Sequence, residues 1–214
     1  SALMGLPIPY ILTHDSIGVG EDGPTHQPIE QLAALRSMPG MITFRPADFT
    51  ENAAGWLVAL YGNAPVSLVL TRQNLPVVEG TSRDAIRGAY VLMDSEKETP
   101  DVILMASGSE VPLVVEAKRL LKAQGVDARV VSVPSFELFD AQSDEYREKV
   151  LPRAVRARVS VEAAATFGWH KYVGLDGIAI GIDSFGTSAP AAQLFPHFGL
   201  TAEHVAERAR SLVR

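Results

Sequence analysis

The chain has 214 residues, of which 47% are hydrophobic and 21% charged, a balance that can build a globular core and argues against disorder. Its 19 Lys and Arg against 25 Asp and Glu give a formal charge of −6 spread along the chain, which argues against nucleic acid as a main partner. Cysteine is absent, which excludes disulfides, and no apolar run reaches the roughly 18 to 20 residues of a membrane helix. The simplest interpretation is a cytoplasmic protein without a membrane partner.

The first half of the chain alternates short strands with helices. Strands are predicted over residues 8–13, a run apolar enough to be buried, and over 41–44 and 66–70. Helices are predicted from Pro28 to the stop at Pro39 and over 49–61. This alternation indicates an α/β fold in which crossover helices join a largely parallel sheet.

A polar segment, residues 94–101, follows this first unit and is predicted to be a linker. It divides the chain into a first unit, 1–93, and a second unit, 102–214. The second unit repeats the α/β pattern, with strands predicted over 102–106, 128–133, 157–161 and 177–182 and helices over 110–124 and after Thr201.

Unusual polar residues follow the first and third predicted strands. His14, Asp22 and His26 stand in a Gly-rich segment after the first strand, and Arg72 follows the third. Ligands of open parallel sheets bind beyond the carboxyl ends of the strands. Imidazole exchanges protons near neutral pH, and guanidinium matches phosphate with two parallel hydrogen bonds. The pattern therefore predicts a phosphate-binding edge with proton-shuttling groups, provided that both loops lie on one side of the sheet.

The residues of the first loop also have ordinary structural interpretations. His14 and His26 would then be hydrogen-bonded surface residues, and Asp15 and Asp22 would cap turns without touching a substrate. A metal held by His14, Asp22 and His26 is conceivable from ligand type. Their spacing lacks the helical two-histidine pattern of metalloproteases, so we expect no metal bound by these residues.

Two candidate anion sites have rival interpretations as well. Arg72 would alternatively pair on the surface with Glu79 or Asp48. The segment 106–110 joins a strand to a helix start, where backbone amides can hold an anion. Ser109 acting as a helix cap explains that segment equally well.

The string THDSIGVGEDGPTHQPIE, from Thr13 to Glu30, closely resembles the signature of transketolases. Further similar motifs follow in order through the chain: Arg45–Asp48, Thr71–Pro76, Ala106–Val111, Val131–Pro134 and Phe185–Pro190. By this resemblance the chain is the carboxyl-terminal part of such an enzyme. Residues 1–93 would be an incomplete pyrimidine-binding domain, and residues 102–214 the carboxyl-terminal domain.

The resemblance implies a function and site residues. Transketolases move a two-carbon ketol unit between sugar phosphates in the pentose phosphate pathway, using thiamine diphosphate and Mg²⁺ or Ca²⁺ at a homodimer interface. His14 and His26 would be catalytic and substrate-binding, the first bonding the hydroxyls of the ketol unit and the second assisting proton transfer or carbonyl polarisation. Asp22 would bind a substrate hydroxyl, and Arg72 would bind the sugar phosphate.

Other parts of the family pattern have no counterpart in this sequence. The Gly-Asp-Gly motif that holds metal and diphosphate does not occur, and the glutamate that activates the cofactor precedes the first matching position. We therefore expect the chain to need the amino-terminal part of the same enzyme, and alone to bind no cofactor and to be inactive. Alternatives are a dihydroxyacetone synthase, a beta-type subunit of a pyruvate dehydrogenase, or a non-catalytic interaction or regulatory module.

Overall fold

The structure is a computed structural model and describes residues 1–213. The first unit holds a sheet of β1 (Pro9–Leu12), β2 (Ile42–Phe44) and β3 (Val66–Val69), in the order β1-β3-β2 with parallel neighbours. Helices α1 (Gln31–Arg36) and α2 (Phe49–Tyr61) connect these strands. The crossover arrangement places the carboxyl ends of β1 and β3 side by side.

A second, larger sheet contains β4 (Tyr90–Met93), β5 (Val102–Ala106), β6 (Ala128–Ser132), β7 (Arg158–Val161) and β8 (Ile178–Ile180). Its order is β4-β6-β5-β7-β8, and its neighbours are parallel except for the antiparallel pair of β4 and β6. The α/β class with largely parallel sheets is thereby confirmed. The helices of this unit are α3 (Val111–Ala123), α4 (Phe136–Asp140), α5 (Asp144–Val150), α6 (His170–Val173), α7 (Ala191–His197) and α8 (Ala202–Arg210).

The strand Tyr90–Met93 lies in the second sheet, whereas the composition of the sequence predicts that it belongs to the first unit. It pairs antiparallel with β6, Tyr90 opposite Ser132, so a division at 94–101 would separate a strand from its own sheet. Residues 94–101 connect β4 to β5 within one sheet, and Lys97 pairs with Asp101 across this turn. We propose a division before β4 instead.

Strand β1 is exposed along its whole length, so the expectation of a buried strand is wrong. Tyr10 and Ile11 are 37% and 44% exposed because β1 is the edge strand of its sheet and pairs with β3 alone among the described strands. Helix α1 begins at Gln31 rather than at Pro28. The carbonyl of Ile29, which a helix from Pro28 would use internally, accepts a bond from Ala165 N at 3.0 Å instead.

The core lies mainly around the central strands of the second sheet. Helix α3 packs on β5 and β6 and against α8, which itself packs on β7 and β8. The apolar positions of α8 are buried, as its 3.6-residue pattern predicts. Helices α4 to α7 were not predicted from the sequence. Within residues 1–213 no helix combines the length and the apolar character needed to cross a bilayer.

Gly55 shows how closely α2 packs on the first sheet. A Cβ at this position would lie 2.7 Å from Phe44 Cδ1 and 2.9 Å from Leu68 Cδ2. We expect Gly55→Ala to lower the free energy of unfolding by about 1 to 3 kcal/mol through overpacking, although alanine favours helices by about 1 kcal/mol. Urea denaturation measures this, with Ala53→Gly on the exposed face as the control for helix propensity. A stabilised Gly55→Ala variant would contradict the tight contact.

Candidate functional site

The loops that follow β1 and β3 lie at the same edge of the first sheet. Leu12 is in register with Val69 in these parallel strands, and beyond them Asp15 N donates to Leu70 O at 3.1 Å. Gly18 in the first loop lies against the side chain of Gln73 in the second. The structure therefore brings the segment of His14 to the segment that carries Arg72.

His14 and His26 are both exposed, and each ring is held by the threonine that precedes it. Nδ1 of His14 lies 3.0 Å from Thr13 Oγ1, and Nδ1 of His26 lies 2.9 Å from Thr25 Oγ1. Nε2 of either ring makes no hydrogen bond within residues 1–213. This arrangement orients each ring through Nδ1 and leaves Nε2 to exchange hydrogen bonds or a proton with a bound molecule.

Asp22 and Arg72 are also exposed. Asp22 precedes the short 3-10 turn Gly23–Thr25 but makes no side-chain cap bond, so the turn-capping interpretation does not hold for it. Arg72 forms no ion pair within residues 1–213. Its possible partner Asp48 instead caps α2 through Glu51 N at 3.0 Å and accepts from Val78 N at 3.0 Å. Both charged groups are thus available at the surface.

The second unit contacts the His14–His26 loop at its carboxyl-terminal end. The amide of Gln27 donates to Gly20 O at 2.7 Å and to Thr187 O at 3.0 Å, and Ser188 Oγ donates to Glu21 O. Gly23 has a φ of +73°, and a Cβ there would lie 3.1 Å from Ser188 Cβ. Both the backbone conformation and the close approach of Ser188 therefore favour glycine at residue 23.

A buried ion network beneath this loop was not foreseen from the sequence. The guanidinium of Arg45 donates to Asp15 Oδ2 at 2.5 Å, to Glu110 Oε2 at 2.5 Å and to Ser107 O at 2.8 Å. Asp15 is 3% exposed and is a buried ion-pair partner, so its interpretation as a turn cap is wrong. Ser109 does not cap α3, and its hydroxyl accepts from Arg45 at 3.1 Å. The signal available in the sequence was an arginine directly after β2, at the same edge as the two loops.

The network continues through Glu162 of the second unit. Glu162 accepts two hydrogen bonds from Arg36 at 2.6 and 2.7 Å and one from Trp169 Nε1 at 2.8 Å. Burial acts to raise the pKa of Glu162, but the charge and hydrogen bonds of Arg36, with smaller effects of Arg45 and Ser107, outweigh it and lower the pKa to about 2. Burial likewise acts to lower the pKa of Arg45, but Asp15 and Glu110 raise it. Both groups are therefore charged at neutral pH.

A metal centre is not formed by the described side chains. Within residues 1–213 no group of three or more His, Asp or Glu side chains lies close enough together to hold a metal ion.

The fold and this loop site define a two-unit α/β protein whose charged, exposed residues stand at the carboxyl edge of a parallel sheet, where ligands of such sheets bind. Residues 1–78 match the family described as the transketolase pyrimidine-binding domain, and residues 88–201 match the transketolase-like carboxyl-terminal domain. The chain belongs to the transketolase family.

Individual relatives agree with this assignment. The transketolase of Bacillus subtilis is 50% identical over 218 residues, covering 100% of this chain and 33% of the relative. The structure of a Pichia stipitis transketolase in complex with sedoheptulose-7-phosphate superposes with a TM-score of 0.93 and 47% identity, over 99% of this chain and 31% of that one. A split-gene transketolase, solved as an inactive beta4 tetramer, has a TM-score of 0.82 and 26% identity, over 100% of this chain and 70% of that one. The chain thus spans about a third of the length of the curated relatives that it matches.

Proposed function

We propose that this chain forms the substrate-facing wall of a transketolase, which transfers a two-carbon ketol unit between sugar phosphates of the pentose phosphate pathway. The observation that supports this is the meeting of two loops, those of His14 and Arg72, at one sheet edge with their functional groups exposed. A sugar phosphate offers hydroxyls and a dianion, which are the groups that imidazole, carboxylate and guanidinium recognise.

Each side chain has a role that its chemistry permits. Nε2 of His14 bonds hydroxyls of the ketol unit, and Nε2 of His26 moves a proton to or from the reacting oxygen. The exposed carboxylate of Asp22 accepts a hydrogen bond from a substrate hydroxyl and so selects its stereochemistry. Arg72 holds the phosphate with its planar fork of donors. The Thr13 and Thr25 hydroxyls hold Nδ1 of the two rings and leave Nε2 of each ring for the substrate.

The cofactor of this proposal is thiamine diphosphate with Mg²⁺ or Ca²⁺; when bound, thiamine diphosphate would supply the nucleophilic carbon that transfer of a ketol unit requires. The described residues do not fit a metal site of their own, since no group of potential ligands is assembled among residues 1–213. Because the family's Gly-Asp-Gly motif, which holds metal and diphosphate, does not occur in this sequence, we expect the chain alone to bind no cofactor and to be inactive.

The partner in this proposal is the remaining two thirds of the longer enzyme. The exposed apolar side chains of β1 and α2, with Ile11 at 44%, Leu60 at 63% and Tyr61 at 81% exposure, provide a surface for it. The assembled enzyme would be a homodimer in the cytoplasm. The relatives reported above are transketolases, and no observation favours a dihydroxyacetone synthase, a pyruvate dehydrogenase subunit or a non-catalytic module.

A chimera tests the proposed function. This chain replaces the matching 218 residues of the Bacillus subtilis transketolase, with which it shares 50% identity. We expect the chimera to transfer the ketol unit when it is supplied with thiamine diphosphate, Mg²⁺, a xylulose phosphate donor and a ribose phosphate acceptor. The unaltered relative is the positive control, and the chain alone is expected to show no turnover. A chimera that folds and dimerises like the relative but transfers nothing would contradict the proposal.

A further inference from the structure

The backbone of the His14 loop adopts conformations that residues other than glycine rarely adopt. His14 has a φ of +69°, and Ser16 has a φ of +61° with a ψ of −173°, a region occupied almost only by glycine. These two residues flank Asp15. Such conformations persist only where the surroundings over-determine them, and they cluster at functional sites.

The contacts that hold the conformation of this loop are made by Asp15. Its backbone N–H bonds to Leu70 O at 3.1 Å, and its carboxylate Oδ2 accepts from Arg45 Nε at 2.5 Å. The other oxygen, Oδ1, is buried without a hydrogen-bond partner among the described residues. The side chain of Asp15 is thus fixed through Arg45.

Arg45 itself is fixed by the second unit. Its side chain is 1% exposed and reaches Ser107 and Glu110 at the end of β5. The backbone of Arg45 also bonds to the second unit. Its N–H donates to Pro134 O at 2.8 Å, and its carbonyl accepts from Gly108 N at 3.2 Å. A continuous chain of contacts therefore runs from the second sheet through one guanidinium to the residue beside His14.

We propose that Arg45 is a positioning residue: through its contact with Asp15 it holds the His14 loop in a fixed position relative to the second unit. The proposal rests on the proposed function and deepens it, because it gives the second unit a role in the site: Glu110 and Ser107 orient the guanidinium that holds the loop. Lysine in place of Arg45 keeps one charge but carries its donors on a single nitrogen, whereas Arg45 uses Nε toward Asp15 and Nη1 toward Ser107 and Glu110.

The test compares three variants of the chimera by hydrogen exchange and by kinetics. Arg45→Lys and Asp15→Asn each alter the Arg45 contact with Asp15. Tyr90→Phe is the matched control, because it removes another buried bond between the units, from Tyr90 Oη to Glu51 Oε1 at 2.8 Å, without touching Arg45. Arg45→Lys and Asp15→Asn are expected to accelerate amide exchange selectively in peptides covering residues 13–20. Tyr90→Phe is expected to leave that segment unchanged.

The kinetic arm measures kcat and KM at equal folded fraction. Misplacing a catalytic group by about 1 Å can lower the reaction rate about 100-fold. We therefore expect Arg45→Lys to lower kcat/KM at least about tenfold, and Tyr90→Phe to have a kcat/KM close to that of the unaltered chimera. Exchange in residues 13–20 that matches the control in both variants would overturn the positioning role. The exchange result does not depend on turnover. If the chimera were inactive but Arg45→Lys and Asp15→Asn still accelerated exchange selectively in residues 13–20, the proposed function would be contradicted and the positioning role would stay supported.

Discussion

Replacing Arg72 by alanine in the chimera is expected to raise KM for phosphorylated sugars about 100-fold. Arg72 is exposed beside the His14 loop and has no ion pair within residues 1–213, so its guanidinium is available for a phosphate. Two charge-assisted hydrogen bonds lost to a bound dianion correspond to about 3 kcal/mol, which is about 100-fold in affinity. The measurement is steady-state ketol transfer with ribose phosphate as the varied acceptor.

The comparison with ribose separates phosphate binding from general damage. Ribose lacks the phosphate, so Arg72→Ala is expected to leave its kcat/KM within about twofold of the parent value. Arg83→Ala, an exposed arginine outside the two loops, is the matched control and is expected to change neither substrate. Equal losses with ribose and ribose phosphate would mean that Arg72 does not bind the phosphate.

The sequence was sufficient to place the loops of His14 and Arg72 at one sheet edge, because the signal for each loop is local. Each loop follows an apolar run of strand length, and the edge-of-sheet rule then places the two loops together without knowledge of any distant contact. The pairing of Leu12 with Val69 bears out that placement of the loops. The roles of the residues stay predictions until the chimera is measured.

The buried network could not be predicted from local pattern. Arg45 and Glu110 are 65 positions apart, and Arg36 and Glu162 are 126 apart, so no spacing rule connects them. Charged residues are expected at the surface unless they are paired, and the sequence does not show the pairing. The strand at Tyr90 was assigned to the first unit for the same reason, since its pairing with β6 is a long-range contact.

The apolar run of β1 illustrates a different limit. Its composition correctly predicts a strand, but a pattern states only that apolar side chains favour burial and does not name the surface that covers them. In the structure these side chains are exposed at the sheet edge. Whether a predicted strand is buried therefore depends on neighbours that its own residues do not specify.

Glu162→Gln is expected to lower the free energy of unfolding of this chain by about 3 kcal/mol at pH 7. Burial acts to raise the pKa of Glu162, but Arg36, together with Arg45 and Ser107, lowers it from 4.5 to about 2, and a shift of that size is worth about 3 kcal/mol. The variant also leaves Arg36, whose side chain is 6% exposed, without its carboxylate partner. Removing one member of a buried ion pair commonly costs about 3 to 5 kcal/mol. Urea denaturation monitored by tryptophan fluorescence measures the difference.

The pH dependence of that difference identifies its cause. Because the folded-state pKa of Glu162 lies below the unfolded one, its stabilisation is complete above about pH 4.5 and is lost as the pH falls toward about 2. The gap between the parent chain and Glu162→Gln should therefore shrink steadily below pH 4.5, because the carboxylate of the unfolded parent chain takes up a proton there while that of the folded chain stays ionised until about pH 2. Glu148→Gln removes an exposed carboxylate that lies 3.5 Å from Arg153, and it should cost under about 1 kcal/mol at every pH. A gap for Glu162→Gln that stayed constant between pH 7 and pH 3 would assign the loss to packing and hydrogen bonds rather than to the charge of the buried pair.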